Sequence, residues 1–272
     1  MKKLLKKIIP PILFDIYRSI KPSPYGWKGN YKTWEDAQND ATGYDADEIL
    51  EKVRNSLLKV KNGEAVYERD SVIFDKIEYS WPLLSGLMLA AAKNKGNLNV
   101  LDFGGSLGST YFQNKKFLDP LANVSWNIVE QIKFVEIGKK EFESNNLHFY
   151  YDIENCIKEQ SPNILLLSSI LQYLEKPYQQ LDELLRHNFQ FIFIDLTAVS
   201  FENERITVQH VPPSIYSAKY PCWILDYNKI NLIFEKNNYL LIEQFESLNN
   251  FKIIDKSKII GHYIGELRVK NG

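Results

Sequence analysis

A glycine-rich turn and the acid before it are the residues of this chain whose types and spacing first indicate ligand chemistry. The apolar pair Val100-Leu101 leads into Asp102, and the turn that follows contains Gly104, Gly105 and Gly108. Glycines let the backbone approach a ligand closely, as in the strand, turn and helix of nucleotide-binding α/β proteins. We expect Asp102 and this turn to form one wall of a ligand site.

Two further acids follow the next two predicted strands. Glu130 stands near the position of the acid that accepts hydrogen bonds from ribose hydroxyls in such folds. Asp152 can accept from an adenine amino group, and Ile153 beside it can cover the ring. Because parallel strands end at one edge of their sheet, the three acids are expected to face one extended ligand.

The turn itself discriminates between ligands. No lysine follows Gly108, as a phosphate-binding loop for ATP would require, and serines stand at positions 106 and 109, where a dinucleotide loop counted from Gly104 needs glycines. A nicotinamide-dependent reductase is therefore disfavoured. Asp102 would repel a pyrophosphate and attract an ammonium group. A ribose, an adenine and a cationic amino-acid end together fit all three acids, which predicts S-adenosylmethionine as the cofactor.

Composition limits the partners. The 272 residues carry a net charge of −1, which gives no sign of the basic face that nucleic-acid binding requires. The two cysteines, Cys156 and Cys222, lie far apart without metal-ligand spacing. We therefore predict no nucleic-acid partner, no metal, and a reducing, cytoplasmic location.

The first 96 residues divide into two predicted parts. Residues 1–22 form a basic amphipathic segment with apolar residues on one side of a helical wheel and lysines on the other. Two readings stay open for this segment: peripheral contact of residues 2–16 with an anionic membrane surface, or packing on the domain. Residues 23–96 show no strand pattern and predict a helical cap. In this cap Arg69 and Asp70 could line a substrate site or form a surface ion pair.

From residue 97 to 272, strand and helix patterns alternate, which predicts a Rossmann-like α/β domain with a parallel sheet. The last strand is expected to return antiparallel. The predicted strands, in chain order, are 99–103, 125–129, 147–151, 164–167, 191–196, 239–246 and 259–269.

A long polar stretch, residues 198–226, is predicted to be an insertion that forms part of an acceptor site, because long loops in compact domains are usually functional. The candidate substrate-binding residues in it are Arg205, Tyr216, Tyr220 and Trp223. His210 is the candidate catalytic base for a hydroxyl acceptor. The alternative is catalysis mainly by proximity and alignment, without a dedicated base.

Two motifs carry a resemblance to a known family. The run Val100–Gly108, VLDFGGSLG, resembles the first motif of class I S-adenosylmethionine-dependent methyltransferases, with Ser106 in place of the middle glycine. The run Asn163–Pro177 looks like their strand 4 motif. The first third of the chain is similar to methyltransferases found in bacterial surface-polysaccharide gene clusters, including that of Leptospira. The segments that carry this last similarity are Gly29–Ala37, Gly43–Asp45 and Tyr67–Ser71.

The resemblance implies a class I methyltransferase fold, with seven mostly parallel strands and the last one antiparallel. It implies cofactor contacts from Asp102 and the turn at the methionine end, from Glu130 at the ribose, from Asp152 and Ile153 at the adenine, and from Ser168 near the reacting centre. It further implies O-methylation of a sugar in a bacterial surface glycan or its lipid- or nucleotide-linked precursor. Ser106 and the lack of a clear base leave a second reading open, a non-catalytic binding or scaffolding protein of glycan assembly.

Overall fold

The computed structural model describes residues 23–41, 46–213, 215–216, 218–247, 252–255 and 258–271. The predicted amphipathic segment 1–22, with its membrane-contact residues 2–16, lies outside these residues, as does the Gly43–Asp45 motif. Within the described part of the chain, no helix is long and apolar enough to cross a membrane.

A central sheet of eleven strands organises the described residues, and a two-stranded hairpin lies apart from it. The hairpin consists of β2 (Tyr67–Arg69) and β3 (Val72–Phe74). The strands of the central sheet are β1 (Gly26–Tyr31), β4 (Asn97–Phe103), β5 (Asn123–Val129), β6 (Leu147–Tyr150), β7 (Ile164–Ser168), β8 (Phe191–Ser200), β9 (Arg205–Val211), β10 (Ala218–Asp226), β11 (Tyr239–Glu246), β12 (Lys252–Asp255) and β13 (Lys258–Lys270).

Seven of these strands have the predicted topology. Strands β6, β5, β4, β7 and β8 lie side by side and run parallel. Strand β13 then pairs antiparallel with β8, and β11 pairs antiparallel with β13. In chain order this is 3-2-1-4-5-7-6 with the seventh strand reversed. The strand order confirms the predicted Rossmann-like class I methyltransferase fold, including the antiparallel last strand.

Helices cover both faces of the sheet. They are α1 (Trp34–Asp40), α2 (Ala46–Lys61), α3 (Trp81–Lys93), α4 (Ser109–Leu118), α5 (Ile132–Ile137), α6 (Ile153–Gln160), α7 (Pro177–Leu185) and α8 (Tyr227–Lys236). Helix α5 continues as a single π-helical turn, Gly138–Phe142. A side chain at Gly138 would meet the ring of Phe149 on β6, so glycine is needed where this turn packs on the sheet.

The sheet separates two large apolar clusters. One contains α2, α3 and α4 residues such as Leu57, Leu87 and Tyr111, and the other contains α7 and α8 residues such as Leu184 and Phe234. The central strands read as continuous apolar runs because both of their faces are covered. Strand β7, Ile164–Ser168, is an example: its first four residues are fully buried. Burial on both faces fixes the register and therefore the positions at which the strands end.

The first third of the chain differs from the predicted helical cap, which was expected to lack strands. Strand β1 joins the central sheet by antiparallel pairing with β9, and the β2–β3 hairpin follows α2. Two glycines with positive φ, Gly26 and Gly29, interrupt the alternation by which β1 could be recognised. The pairing partner is nearly two hundred residues away, so local pattern carries little of the signal.

The predicted acceptor loop, residues 198–226, is a β-hairpin. Strands β9 and β10 pair antiparallel over seven residue pairs and extend the sheet beyond β8. Strand β7 pairs with one edge of β8 as far as Asp195. Strand β10 pairs with the same edge of β8 from Val199 onward. The sheet therefore opens between these two contacts, and the opening faces the carboxyl ends of β4 and β7.

Candidate ligand-binding site

A cavity of about 920 Å³ lies at the carboxyl ends of β4, β5, β7 and β8. The β2–β3 hairpin and the start of α3 close it from the side of the N-terminal segments. Its wall contains most of the predicted site residues: Arg69, Asp70, Asp102, Gly104, Gly105, Ser106, Glu130, Ser168, Tyr216 and Tyr220. The edge of a parallel sheet where strand order reverses is where α/β proteins bind ligands.

The glycine turn has the close backbone packing that its sequence predicts. Gly104 has φ +75°, and a side chain there would lie 2.6 Å from the Ile170 side chain. A side chain at Gly105 would lie 2.5 Å from the carboxyl group of Asp102. Ser106 also has a positive φ, 55°, a conformation that a residue with a side chain adopts at a cost. The serine thus occupies a backbone position suited to glycine.

Asp102 is buried under this turn, with 1% of its surface exposed. The Trp126 Nε1–H donates a hydrogen bond to its carboxylate over 2.9 Å. Burial raises the pKa of Asp102 to about 7, because removal from water disfavours the charged form more than the tryptophan bond favours it. Asp102 therefore supports the turn from below and adds negative charge that appears near neutral pH.

Glu130 follows β5 and faces both Asp102 and the turn. Its carboxylate accepts a hydrogen bond from the backbone N–H of Gln131, over 2.6 Å, and one from the backbone N–H of Ser106. Burial raises its pKa above the usual value in spite of these two bonds. Glu130 thus fixes the outer side of the glycine turn as well as lining the cavity.

Three predicted cofactor residues do not line the cavity. Asp152 is the N-cap of α6: it accepts from the backbone N–H and the side-chain amide of Asn155, each over 2.8 Å. Ile153 begins that helix and packs on the apolar cluster behind it. Gly108 caps α4 with φ +101° and packs near Leu147. The structure thus brings Asp102 and Glu130 together and leaves these three residues outside the cavity wall.

Two buried acids of the cavity were not selected from the sequence. Glu68, on β2, accepts hydrogen bonds from the Ser109 hydroxyl and the Ser71 backbone N–H, and burial raises its pKa to about 7. Asp195, on β8, accepts from the Leu196 backbone N–H and the Ser247 hydroxyl. The run FIFID ends an apolar strand on an acid, as VLD does at Asp102, and that signal could have identified Asp195. Nothing comparable marks Glu68.

The cavity is strongly acidic. Among its described lining residues Arg69 is the one cation, and seven carboxylates accompany it: Glu68, Asp70, Glu78, Asp102, Glu130, Asp195 and Glu246. Burial raises the pKa of several of these groups, Glu68, Asp102 and Glu130 among them. Such a cavity favours a cationic ligand.

Three tyrosines form the cavity wall opposite the β2–β3 hairpin. The rings of Tyr173 and Tyr220 meet edge to face, with centroids 5.3 Å apart, and the hydroxyls of Tyr216 and Tyr220 lie 3.5 Å apart. The Tyr173 hydroxyl donates to the side-chain carbonyl of Gln209 over 2.9 Å, which ties this wall to β9. Burial raises the pKa of Tyr173 and of Tyr216, so both hydroxyls keep their protons at neutral pH.

The other predicted acceptor residues do not line the cavity. Because Gln209 contacts Tyr173 and adjacent strand residues point to opposite faces, His210 points away from the cavity wall. His210 is not among the residues that line the cavity, so the geometry gives no support to its assignment as catalytic base. Arg205 pairs with Asp255 instead, over 3.6 Å, and Trp223 stacks on Trp34 with ring centroids 6.2 Å apart. Regular pairing in β9 and β10 directs these side chains, which a loop would not have done.

Backbone strain concentrates at this cavity. Of the nine described non-glycine residues with positive φ, four line it: Asp70, Ser106, Ser169 and Leu196. Three of them follow the ends of β4, β7 and the first half of β8. Such conformations cost free energy and persist where a ligand site requires the resulting geometry.

No protein-family model and no curated protein matches the chain. Its fold is similar to that of solved methyltransferases. An S-adenosylmethionine-dependent methyltransferase from Clostridium acetobutylicum is 9% identical with a TM-score of 0.47, covering 72% of this chain and 93% of its own. Magnesium protoporphyrin IX methyltransferase from Synechocystis is 11% identical with a TM-score of 0.43, covering 99% and 97%.

A third similar structure is the N-terminal domain of EvdMO1 in the presence of SAH and D-fucose. It is 14% identical with a TM-score of 0.46, and the match covers 85% of this chain and 100% of that one. Likenesses this distant say nothing of ligand or substrate, and the fold assignment rests on the strand order of the sheet itself. What this chain shares with a class I methyltransferase is therefore its architecture: a 3-2-1-4-5-7-6 sheet with a glycine turn over a cavity at the strand ends.

Proposed function

We propose that this protein is an S-adenosylmethionine-dependent methyltransferase. One observation carries the proposal: the glycine turn and the acids Asp102, Glu130 and Asp195 lie at the carboxyl ends of parallel strands β4, β5 and β8 and line a single cavity. This is the geometry in which a parallel sheet holds a nucleoside, and the negative charge suits a cationic ligand rather than a pyrophosphate.

The residues present fit this cofactor at its charged and ribose ends. Asp102 and Glu68 supply carboxylates that attract an ammonium group, and Glu130 keeps acceptor capacity for ribose hydroxyls beyond its two backbone bonds. When bound, S-adenosylmethionine supplies an electrophilic methyl group on a positively charged sulfur. Asp152 is committed to capping α6, so the proposal assigns no side chain to the adenine.

The acceptor in this proposal is a hydroxyl group of a sugar in a bacterial surface glycan or its precursor. Support comes from the cavity wall opposite the glycine turn, where tyrosine hydroxyls and carboxylates offer many hydrogen bonds at close spacing. As the acceptor oxygen takes the methyl group, its proton passes to a carboxylate. We assign that role to Asp70, which reaches the cavity from the β2–β3 turn and replaces His210 as the candidate base.

The location proposed for this reaction is the cytoplasm, with residues 2–16 on an anionic membrane surface. Its support is the lysine and apolar patterning of the segment and the cysteine usage. Sedimentation of the full chain with vesicles containing anionic lipid, compared with a chain that begins at residue 23, tests it. Equal sedimentation of the two chains would remove the membrane contact from the proposal.

Calorimetric titration with S-adenosylmethionine and, separately, NADH tests the activity class. Micromolar binding of the former alone is expected. Binding of NADH alone would indicate the nicotinamide-dependent reductase, and binding of neither would favour the non-catalytic scaffolding protein. Binding without methyl transfer to any surface-glycan precursor would favour that second reading as well.

The Glu130→Gln variant tests the site assignment. It keeps the size of the side chain and removes its charge, so S-adenosylmethionine affinity should fall roughly tenfold, the effect of weakening charge-assisted hydrogen bonds by about 1.4 kcal/mol. Glu136→Gln, an exposed position on α5 in the same region, is the matched control and should bind as the wild type does. Equal affinity of the two variants would refute the assignment of Glu130.

A further inference from the structure

The mouth of the cavity carries an aromatic cluster that the cofactor site does not use. Tyr79, Trp81 and Phe117 contact one another, with ring centroids 5.1 to 5.9 Å apart. Trp81 is 58% exposed, whereas the other four tryptophans of the chain are buried or half-buried. Both Tyr79 and Trp81 line the cavity, so this apolar surface faces whatever enters it.

The cluster is held rigidly in place. Between its two lining members, the Ser80 hydroxyl donates to Asp195 at the end of β8 instead of capping α3. The backbone carbonyl of Glu78 accepts from the side-chain amide of Gln113 on α4. The segment Glu78–Trp81 is thus tied to the sheet and to α4, and a ligand meets an aromatic surface that is already ordered, which lowers the entropy cost of binding.

Charged groups border the aromatic surface. The Arg69 guanidinium lies 3.9 Å from the Glu78 carboxylate and 5.5 Å over the centroid of the Phe74 ring. Asp70 follows Arg69 in the same hairpin turn. A purely apolar acceptor would cover these charges without giving them hydrogen bonds, which costs free energy. A saccharide can pack the C–H groups of its ring on the aromatic side chains and form hydrogen bonds to the charged groups through its hydroxyls, so it satisfies both.

The charge balance of the cavity separates two kinds of saccharide. Seven carboxylates and one arginine line it, and that arginine already has Glu78 as a partner. A diphosphate bound here would meet net repulsion, whereas an uncharged sugar would not.

Resting on the proposed methyl transfer, we infer that the acceptor is an uncharged saccharide unit whose ring packs on Trp81 and Tyr79, with Arg69, Asp70 and Glu78 bonding its hydroxyls. A nucleotide-linked sugar is not the acceptor. Trp81 and Tyr79 are then binding residues for the acceptor and make no contribution to cofactor affinity.

Ligand-observed saturation-transfer NMR tests the inference, with and without S-adenosylhomocysteine. The probes are the methyl glycosides of glucose, galactose and rhamnose, with UDP-glucose and benzyl alcohol as competitors of other chemistry. A methyl glycoside should bind the wild type. Trp81→Ala should weaken that binding roughly tenfold, as truncating an aromatic anchor does, and Trp81→Phe should restore most of it.

Leu232→Ala is the matched control, because Leu232 is an equally exposed apolar residue on α8 away from the cavity. It should bind the glycosides as the wild type does. The inference is overturned if Trp81→Ala binds them unchanged, if none of them binds, or if UDP-glucose or benzyl alcohol binds more tightly than every glycoside. Separate calorimetry with S-adenosylhomocysteine on wild type and Trp81→Ala distinguishes failure of the saccharide inference from failure of the cofactor proposal. Only the latter fails if neither protein binds S-adenosylhomocysteine.

Discussion

Ser106 is the residue at which this glycine turn departs most from its expected sequence, and the structure shows what the departure costs. Its φ of 55° is left-handed, between Gly104 and Gly108, which also have positive φ. Its backbone N–H nevertheless donates to Glu130, so the conformation holds the turn against the neighbouring strand end. The serine therefore holds a strained backbone conformation that glycine would adopt at lower cost.

Replacing Ser106 by glycine should therefore stabilise the protein. The left-handed conformation costs a residue with a side chain about 1 kcal/mol. Glycine avoids this cost, but it also makes the unfolded chain more flexible, which offsets part of the gain. We therefore expect the free energy of unfolding to rise by roughly 0.5 kcal/mol. Urea unfolding measures it. Ser85→Gly, at an exposed position inside α3, is the control and should lose about 0.5–1 kcal/mol. Loss of stability at Ser106 as well would show that the serine side chain makes a compensating contact.

Asp152 shows how far single residues could be predicted. An acid after an apolar strand has two uses, as a ligand contact or as the N-cap of the next helix, and sequence does not separate them. Asp102 is followed by the glycine turn, and α4 begins only at Ser109. Glu130 is separated from α5 by the N-cap residue Gln131, so neither carboxylate caps the helix that follows it. Asp152 is followed at once by α6, so its oxygens are used by Asn155.

At the scale of the element, local hydrophobic patterns in the sequence identified the strands that are buried in the centre of the sheet. The parallel strands, their order of appearance and the reversed last strand follow from apolar runs that must be buried on both faces. Strand β1 was missed because its partner β9 is distant in sequence and because it contains Gly29. The β9–β10 hairpin was missed although it is local, because its polar residues and Pro221 obscure the strand pattern. The error mattered for the site, since β-pairing turns His210 away from the cavity and keeps Tyr220 in it.

Strand β13 carries a buried ion pair against α8 whose role is structural. Arg268 Nε donates to Glu266 over 2.7 Å, and the Tyr227 hydroxyl and the Gln244 amide also donate to Glu266. The guanidinium also lies 4.3 Å over the ring of Phe234. Both charged side chains are almost fully buried, so each depends on the other for compensation.

Arg268→Ala should destabilise the protein by roughly 3 kcal/mol, because it leaves the Glu266 carboxylate buried without its cation. Thermal or urea unfolding measures this. Arg186→Ala removes the exposed partner of Asp182 on α7 and should cost less than about 1 kcal/mol. Cofactor affinity should be the same in both variants, since neither arginine lines the cavity. Similar losses for the two would mean that the buried pair contributes no more than a surface pair.

At the scale of the whole molecule, the cavity brings together acidic side chains whose ionised forms are disfavoured by burial. Burial raises the pKa of Glu68 and Asp102 to about 7, far above the values of an unfolded chain. In the folded protein these groups therefore keep their protons over a pH range in which the unfolded chain has lost them. Their contribution to stability is greatest at acidic pH and is lost as the pH rises through about 7.

The protein without ligand should consequently have a higher Tm at about pH 5.5 than at about pH 8. Asp182 does not oppose this trend, because hydrogen bonds lower its pKa and it titrates below the window. His210 does oppose this trend. Burial and the charge of Lys219 lower its pKa, so its protonation at acidic pH favours the unfolded chain. The His210→Ala variant should therefore show a larger difference in Tm between the two pH values. Glu68→Gln, which carries no titrating group, should reduce it. An equal difference in Glu68→Gln and the wild type would exclude Glu68 as a source.

A cationic ligand should weaken the dependence of Tm on pH. Ionised Glu68 is repelled by Asp70 and ionised Asp102 by Glu130, and a bound cation offsets that repulsion and favours loss of the remaining protons. The increase in Tm on adding S-adenosylmethionine should thus be larger at about pH 8 than at about pH 5.5. S-adenosylhomocysteine has no charge on sulfur and should show the smaller change between the two pH values. An equal change for both ligands would place the sulfur away from these carboxylates and leave the ammonium group as the cation they hold.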